Sequence, residues 1–177
     1  FMAKASLFKV PVLGALMRAT GQIPVERAGS RPEQGKNPLS AANTLIEKQS
    51  SVIVYPEGTL TRDPDLWPMR GKAGAVRLAL ESGIPLIPAA HWGSQRLMPR
   101  YGKKIKPFPR KTVEVMIGEP LDLSRFTGRP IDARLLNEAT DVLMQEIARL
   151  LGELRGETPP PERWDPASHQ QSETGRF

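Results

Sequence analysis

The residues that could do chemistry gather around one short stretch. Positions 51–61 read SVIVYPEGTLT, so an apolar run ends at Pro56 and is followed at once by Glu57, Gly58 and Thr59. A carboxylate there can exchange a proton or hold a cation. Gly58 lets backbone approach a ligand, N–H groups near Gly58 and Thr59 can form an anion nest, and Thr59 adds a hydroxyl. Arg27, at the end of another apolar stretch, offers a planar fork of donors suited to phosphate. Lys72 brings a charge to the start of an expected helix, where the dipole favours anions. Together these groups suit a phosphate-bearing small molecule. Each also has a plainer use: Arg27 can pair with Glu57, Lys72 can be a solvated lysine, and Gly58 can serve a tight turn. Their convergence at strand ends favours a site. His91, followed by Trp92, Gly93, Ser94, Gln95 and Arg96, has no nearby carboxylate to orient it, so it reads as structural or pocket-lining.

The elements that must position these groups follow from periodicity. Val52 to Tyr55 is β-branched and aromatic without polar alternation, which predicts a strand buried on both faces of an α/β sheet, with a ligand crevice at its carboxyl end. Positions 1–19 predict two short helical pieces hinged at Pro11. Positions 21–27 predict a short edge strand, 28–37 a loop, and 38–49 an amphipathic helix capped by Asn37. A second helix is expected over 71–82, closed by Gly83, then a buried strand over 84–90. Positions 112–118 alternate and predict a strand whose Val113, Val115 and Ile117 face is the drier one. The longest element is a helix near 132–155, capped by Asp132 and Gly156, on the order of 36 Å long. The alternation predicts a single-domain α/β fold with a mixed, largely parallel sheet flanked by helices. The domain occupies 1–156, and 157–177 is expected to be a polar, Pro-rich, disordered tail.

Composition narrows the chemistry. The chain has 177 residues, no Cys and two His, His91 and His169, which excludes disulfides and thiolate chemistry. No metal site, nucleotide loop or dinucleotide fingerprint is present. A net charge of +6 attracts nucleic acid, acidic lipid or phosphorylated substrates alike. The tryptophans and tyrosines are not interleaved with basic residues as stacking platforms require, so no nucleic acid is expected.

Three stretches in order resemble the glycerolipid acyltransferases, the 1-acylglycerol-3-phosphate acyltransferases and their relatives. Tyr55-Pro56-Glu57-Gly58-Thr59 resembles their third motif, GQIPVER at 21–27 the second, and IPLIPAA at 84–90 the fourth. The resemblance runs to about Gly156. It implies transfer of a fatty acyl group from an acyl thioester to lysophosphatidate, giving phosphatidate in phospholipid biosynthesis. It implies Arg27 as a phosphate ligand and Glu57, Gly58 and Thr59 as pocket-forming residues, with Lys4, Arg62 and Lys72 as supporting candidates. Leu60 stands where the family often has Arg, and Arg62 is the nearby charge that could replace it. No cofactor is implied; the co-substrate is an acyl-CoA or acyl-carrier-protein thioester, with acyl carrier protein as a partner. A peripheral position on the cytoplasmic face of the cell membrane is expected. The family's general base belongs to a His-x4-Asp motif upstream of the second motif, and no such pair occurs in the 177 residues. The expectation is therefore a domain truncated at its start, with no catalytic residue of its own. A non-catalytic lipid-binding module, or an enzyme for another lysophospholipid or glycerol-type acceptor, is the alternative.

Overall fold

The computed structural model describes residues 2–4, 8–20, 23–25, 46–47, 49, 51–102 and 104–172. The chain divides into two compact units, Phe1–Tyr55 and Pro56–Phe177, where the sequence reading expects one domain over 1–156. The division falls where the expected central strand fails to form. Residues 51–55 carry no regular secondary structure, and Ile53 and Tyr55 are exposed.

In the first unit, β1 (Met2–Lys4) pairs in parallel with β2 (Ile23–Val25), with Lys4 opposite Val25. Between them α1 (Pro11–Ala19) begins at Pro11 after an extended Val10. The expected hinge at Pro11 is thus a helix start, a position where the missing N–H breaks no bond. The expected first helical piece instead contains β1. Gly14 is buried against the Phe8 carbonyl, too close for a Cβ. Arg27, the loop over 28–37 and most of the helix expected over 38–49 lie outside the described residues.

The second unit is a layer of strand and helix. α2 (Gly74–Ser82) ends at Gly83, whose φ of 70° is the left-handed cap the sequence predicts. β3 (Ala89–Trp92) pairs antiparallel with β4 (Glu114–Ile117), whereas β1 and β2 pair in parallel. The strand expected from 84 starts only at Ala89, because Pro85 and Pro88 have no N–H for the ladder. Their side of the pairing survives through carbonyls: Gly118 N–H donates to Pro88 O and Leu121 N–H to Leu86 O. After β3 comes a single turn, α3 (Ser94–Leu97).

α4 (Ala133–Arg155) covers the sheet and packs on α2, β3 and β4. Its face Leu135, Leu136, Ala139, Leu143, Met144, Leu150 and Leu151 is buried, as a helix lying over a sheet requires. The helix decides which face of β4 is dry. Met116 and Trp92 pack against the core of Trp67, Ala90, Leu150 and Leu151, while Val115 and Ile117 are exposed. This reverses the expected sidedness of β4, since alternation shows that two faces differ but not which one meets the helix.

Asp132 caps α4 by accepting the Leu135 N–H at 2.8 Å. Asp132→Ala is expected to lower the stability of the chain by about 1 kcal/mol, the usual loss at such a cap, as read from the denaturant midpoint. Asp132→Asn should recover most of it. In the segment from 157 to 172, Glu157 N–H donates to Gly152 O and Arg163 pairs with Asp141, both on α4. Polar composition removed them from the core but not from contact with it.

Candidate functional site

The site is built by the loop between Pro56 and α2. Lys72 N–H donates to Pro56 O at 2.8 Å, which closes the loop at its base. Inside it, Met69 N–H donates to Glu57 Oε2 at 3.0 Å. Thr61 Oγ donates to Trp67 O at 2.6 Å, and Asp65 N–H to Asp63 Oδ1 at 2.7 Å. Arg100 holds one flank, donating to the carbonyls of Thr61 and Asp63 at 2.8 and 2.7 Å. Arg155 holds the other, donating to Asp65 O at 2.8 Å. The apolar anchors are Trp67 and Met69, both buried.

A cleft of about 340 Å³ opens beside this loop. Glu57, Thr59, Arg70 and Lys72 line it from the loop, and Asn137 of α4 and Asp165 and Pro166 line it from the other side. Gly71 lies between the two cations, and a Cβ there would stand 2.7 Å from Met144 of α4. The close approach of loop to helix therefore needs glycine at this point. Gly58 has φ of +66°, the left-handed turn that aims the chain after Glu57. The position of its absent Cβ is 3.7–3.8 Å from the Lys72 side chain, so Lys72 lies over this turn.

The electrostatics of the cleft centre on Glu57. Burial pushes its carboxyl up from 4.5 to about 7, with a smaller push from the Asp63 charge, against the lowering effect of the Met69 N–H. Near neutral pH the group is divided between an acid that donates and a carboxylate that accepts. Arg70 and Lys72, next to the N-terminal end of α2, give the same cleft a cationic side. The arrangement can hold an anion and exchange one proton with it.

Of the expected site residues, the structure brings Glu57, Thr59 and Lys72 together in the cleft and places Gly58 at its turn. Arg62 is not there. It is 2% exposed, stacked over Tyr101 with 5.5 Å between guanidinium and ring centre. Arg62 thus lies in the packing under the loop and not among the residues that line the cleft. Lys4 is a residue of β1, and Arg27 lies outside the described residues. His91 is on the exposed face of β3 with Ser94 Oγ 3.3 Å from Nδ1, and it does not line the cleft. Arg70, Asn137, Asp165 and Pro166 were missed by sequence reasoning. The signal for Arg70 was its place beside Gly71 and Lys72; the signal for the last two was Trp164, an aromatic in a polar segment.

A family model described as Acyltransferase matches residues 1–92. The chain belongs to the acyltransferase family. This acyltransferase-family chain is 31% identical over 156 residues to the 1-acyl-sn-glycerol-3-phosphate acyltransferase of Bacillus subtilis (strain 168), covering 87% of this chain and 71% of that protein. It is 31% identical over 121 residues to the chloroplastic 1-acyl-sn-glycerol-3-phosphate acyltransferase BAT2 of Brassica napus, covering 68% of this chain and 33% of that protein. Among solved structures it matches the 1-acyl-sn-glycerophosphate (LPA) acyltransferase PlsC of Thermotoga maritima. The TM-score is 0.55 at 26% identity, over 93% of this chain and 58% of that one. The α/β class is thus shared with a solved acyltransferase. The stretch Tyr55 to Thr59 and β3, which ends at Trp92, both lie within the matched residues 1–92.

Proposed function

We propose that the cleft holds the phosphate end of 1-acylglycerol 3-phosphate, and that this chain serves the acylation of that lipid to phosphatidate. The observation that carries the reading is the pairing of two cations, Arg70 and Lys72, with a protonatable Glu57 in one cleft, on a chain whose relatives are named 1-acyl-sn-glycerol-3-phosphate acyltransferases. In the reaction the acceptor hydroxyl attacks the carbonyl carbon of an acyl thioester. The C–S bond breaks as the C–O bond forms, and the hydroxyl proton ends on the departing thiolate by way of a base. The 177 residues contain no His-x4-Asp pair, so the proposal assigns them the holding of the acceptor and not the removal of its proton. The thioester is that of coenzyme A or of acyl carrier protein. Arg27 remains a proposed phosphate ligand, from the resemblance of GQIPVER. The exposed Val12, Leu13 and Leu16 of α1, with Lys9 and Arg18 beside them, support a peripheral position on the cytoplasmic face of the membrane.

Titrating a short-chain lysophosphatidate, kept monomeric, into the chain tests the reading. Lys72→Ala is expected to weaken binding about tenfold, the order of one charge-assisted contact to phosphate. The loss should shrink as salt is raised. Equal affinity of the two proteins, or no binding by the parent chain, overturns the assignment. A lipid-binding module without catalysis is the second reading, supported by the exposed apolar Val12, Leu13 and Leu16 of α1. The residues encoded upstream of Phe1 separate the two, since a His-x4-Asp pair there supports the enzyme and its absence there supports the module.

A further inference from the structure

The segment after α4 returns to the cleft, and the way it is held points to a role there. Gly156 reverses the chain with φ of +67°, and Glu157 N–H donates to Gly152 O at 3.0 Å. A Cβ at Gly152 would stand 2.7 Å from Glu157 O and 3.0 Å from Pro159 Cδ. A glycine inside an apolar helix is therefore the seat on which the returning chain lies. Pro159, Pro160 and Pro161 then keep that chain extended and limit the entropy lost in laying it down. Arg163 next pairs with Asp141 of α4.

Beyond that latch the chain closes on itself. The Trp164 and His169 rings stack with centres 3.5 Å apart, and Trp164 Nε1–H donates to Gln171 Oε1 at 3.2 Å. Pro166 O accepts the N–H groups of His169 and Gln171 at 3.2 and 2.8 Å. Asp165 Oδ1 accepts the Ala167 N–H at 3.0 Å. This compact turn presents Asp165 and Pro166 to the cleft, beside Asn137 and together with Glu57, Arg70 and Lys72. Pro166 is buried there. The cleft thus has a cationic part from the loop and an acceptor-bearing part from the returning segment.

We infer that residues 163–171 form a wall of the acceptor site, and that Asp165 on that wall selects ligands carrying a free hydroxyl beside their phosphate. The inference rests on the reading of the cleft as a lysophosphatidate site. With the phosphate on Arg70 and Lys72, Asp165 accepts a hydrogen bond from the acceptor hydroxyl. The fully esterified product has no hydroxyl to give, and it leaves that carboxylate facing an ester instead. Acceptor is retained and product released by the same group.

The test uses the full 177-residue chain and calorimetric titration with monomeric hexanoyl lysophosphatidate, dihexanoyl phosphatidate and inorganic phosphate. The parent chain is expected to prefer the lysophosphatidate over the phosphatidate about tenfold, the order of one hydrogen bond to a charged group. Asp165→Ala should reduce that preference to within about twofold while leaving inorganic phosphate binding unchanged. Arg163→Ala, which releases the latch, should do the same, and the exchanged pair Arg163→Asp with Asp141→Arg should restore it. Thermal midpoints of the Arg163 and Asp141 variants should stay close to that of the parent, because ion pairs near the surface contribute little to stability. Retention of the preference in both Asp165→Ala and Arg163→Ala overturns the wall and leaves the acceptor site standing. Failure of the parent chain to bind lysophosphatidate overturns both.

Discussion

Glu57→Gln is expected to make the protein more stable at pH 8 and to leave its stability at pH 4 unchanged. The sign follows from where the proton is held. Burial lifts the Glu57 carboxyl from 4.5 to about 7 in the folded chain, so between those values the folded state binds more protons than the unfolded one. Stability therefore falls as pH rises from about 4.5, and the full penalty is present above about 7. A shift of that size corresponds to ~3 kcal/mol, reduced to ~2 kcal/mol because the residue keeps some contact with water. Glutamine keeps an oxygen for the Met69 N–H and carries no charge to desolvate. Urea midpoints of the two proteins across pH 4 to 9 check this: the curves should coincide at the acid end and separate through neutrality. Parallel curves would falsify the claim that the cleft holds Glu57 in a costly state. That cost fits a binding group, since sites are where proteins tolerate charges that folding alone would avoid.

The second large effect is expected at Arg155. Its guanidinium lies between two indoles, 4.1 Å from the ring centre of Trp67 and 4.5 Å from that of Trp92. It also donates to Asp65 O at 2.8 Å and pairs with Glu157. The side chain is 7% exposed. Arg155→Ala removes two cation–π contacts, a hydrogen bond to the loop and the filling between two large rings. We expect a loss of about 3 kcal/mol. Lysine should recover only part, because it has no plane to stack between indoles. The effect reaches the site through a short path. Asp65 precedes Leu66, whose φ of 65° is strained for a residue with a side chain, and two positions on from Trp67 the Met69 N–H holds Glu57. With Arg155 gone, the strained turn loses its clamp. Tryptophan emission should move to longer wavelength as Trp67 and Trp92 gain water. Guanidinium unfolding that shows a loss below 1 kcal/mol, with unshifted emission, would refute the clamp.

Caps and motifs were legible because they are local. Asp132, Gly83 and Gly156 act within one turn of their own positions, and the order of chain atoms alone determines what they can reach. The stretch Tyr55 to Thr59 and the two flanking stretches were enough to show the family resemblance. The strand over 112–118 was legible as a strand but not in its sidedness, because Val115 and Met116 are both apolar and only contact with α4 separates them. Arg62 and Arg155 were not legible at all. Both are buried against aromatic rings, and their charge argues for solvent until the ring partners are in place.

The sequence by itself determined the family, pointed to the loop after Tyr55, and set the caps at Gly83, Asp132 and Gly156. Only the tertiary structure decided which charges enter the cleft and which lie beneath it. It also decided that Asp165 meets Glu57 and Lys72 at all. Two positions before Asp165, Arg163 pairs with Asp141, 22 residues earlier in the chain. Pairing at such a separation is set by the path of the chain over α4, which one position's residue type does not encode.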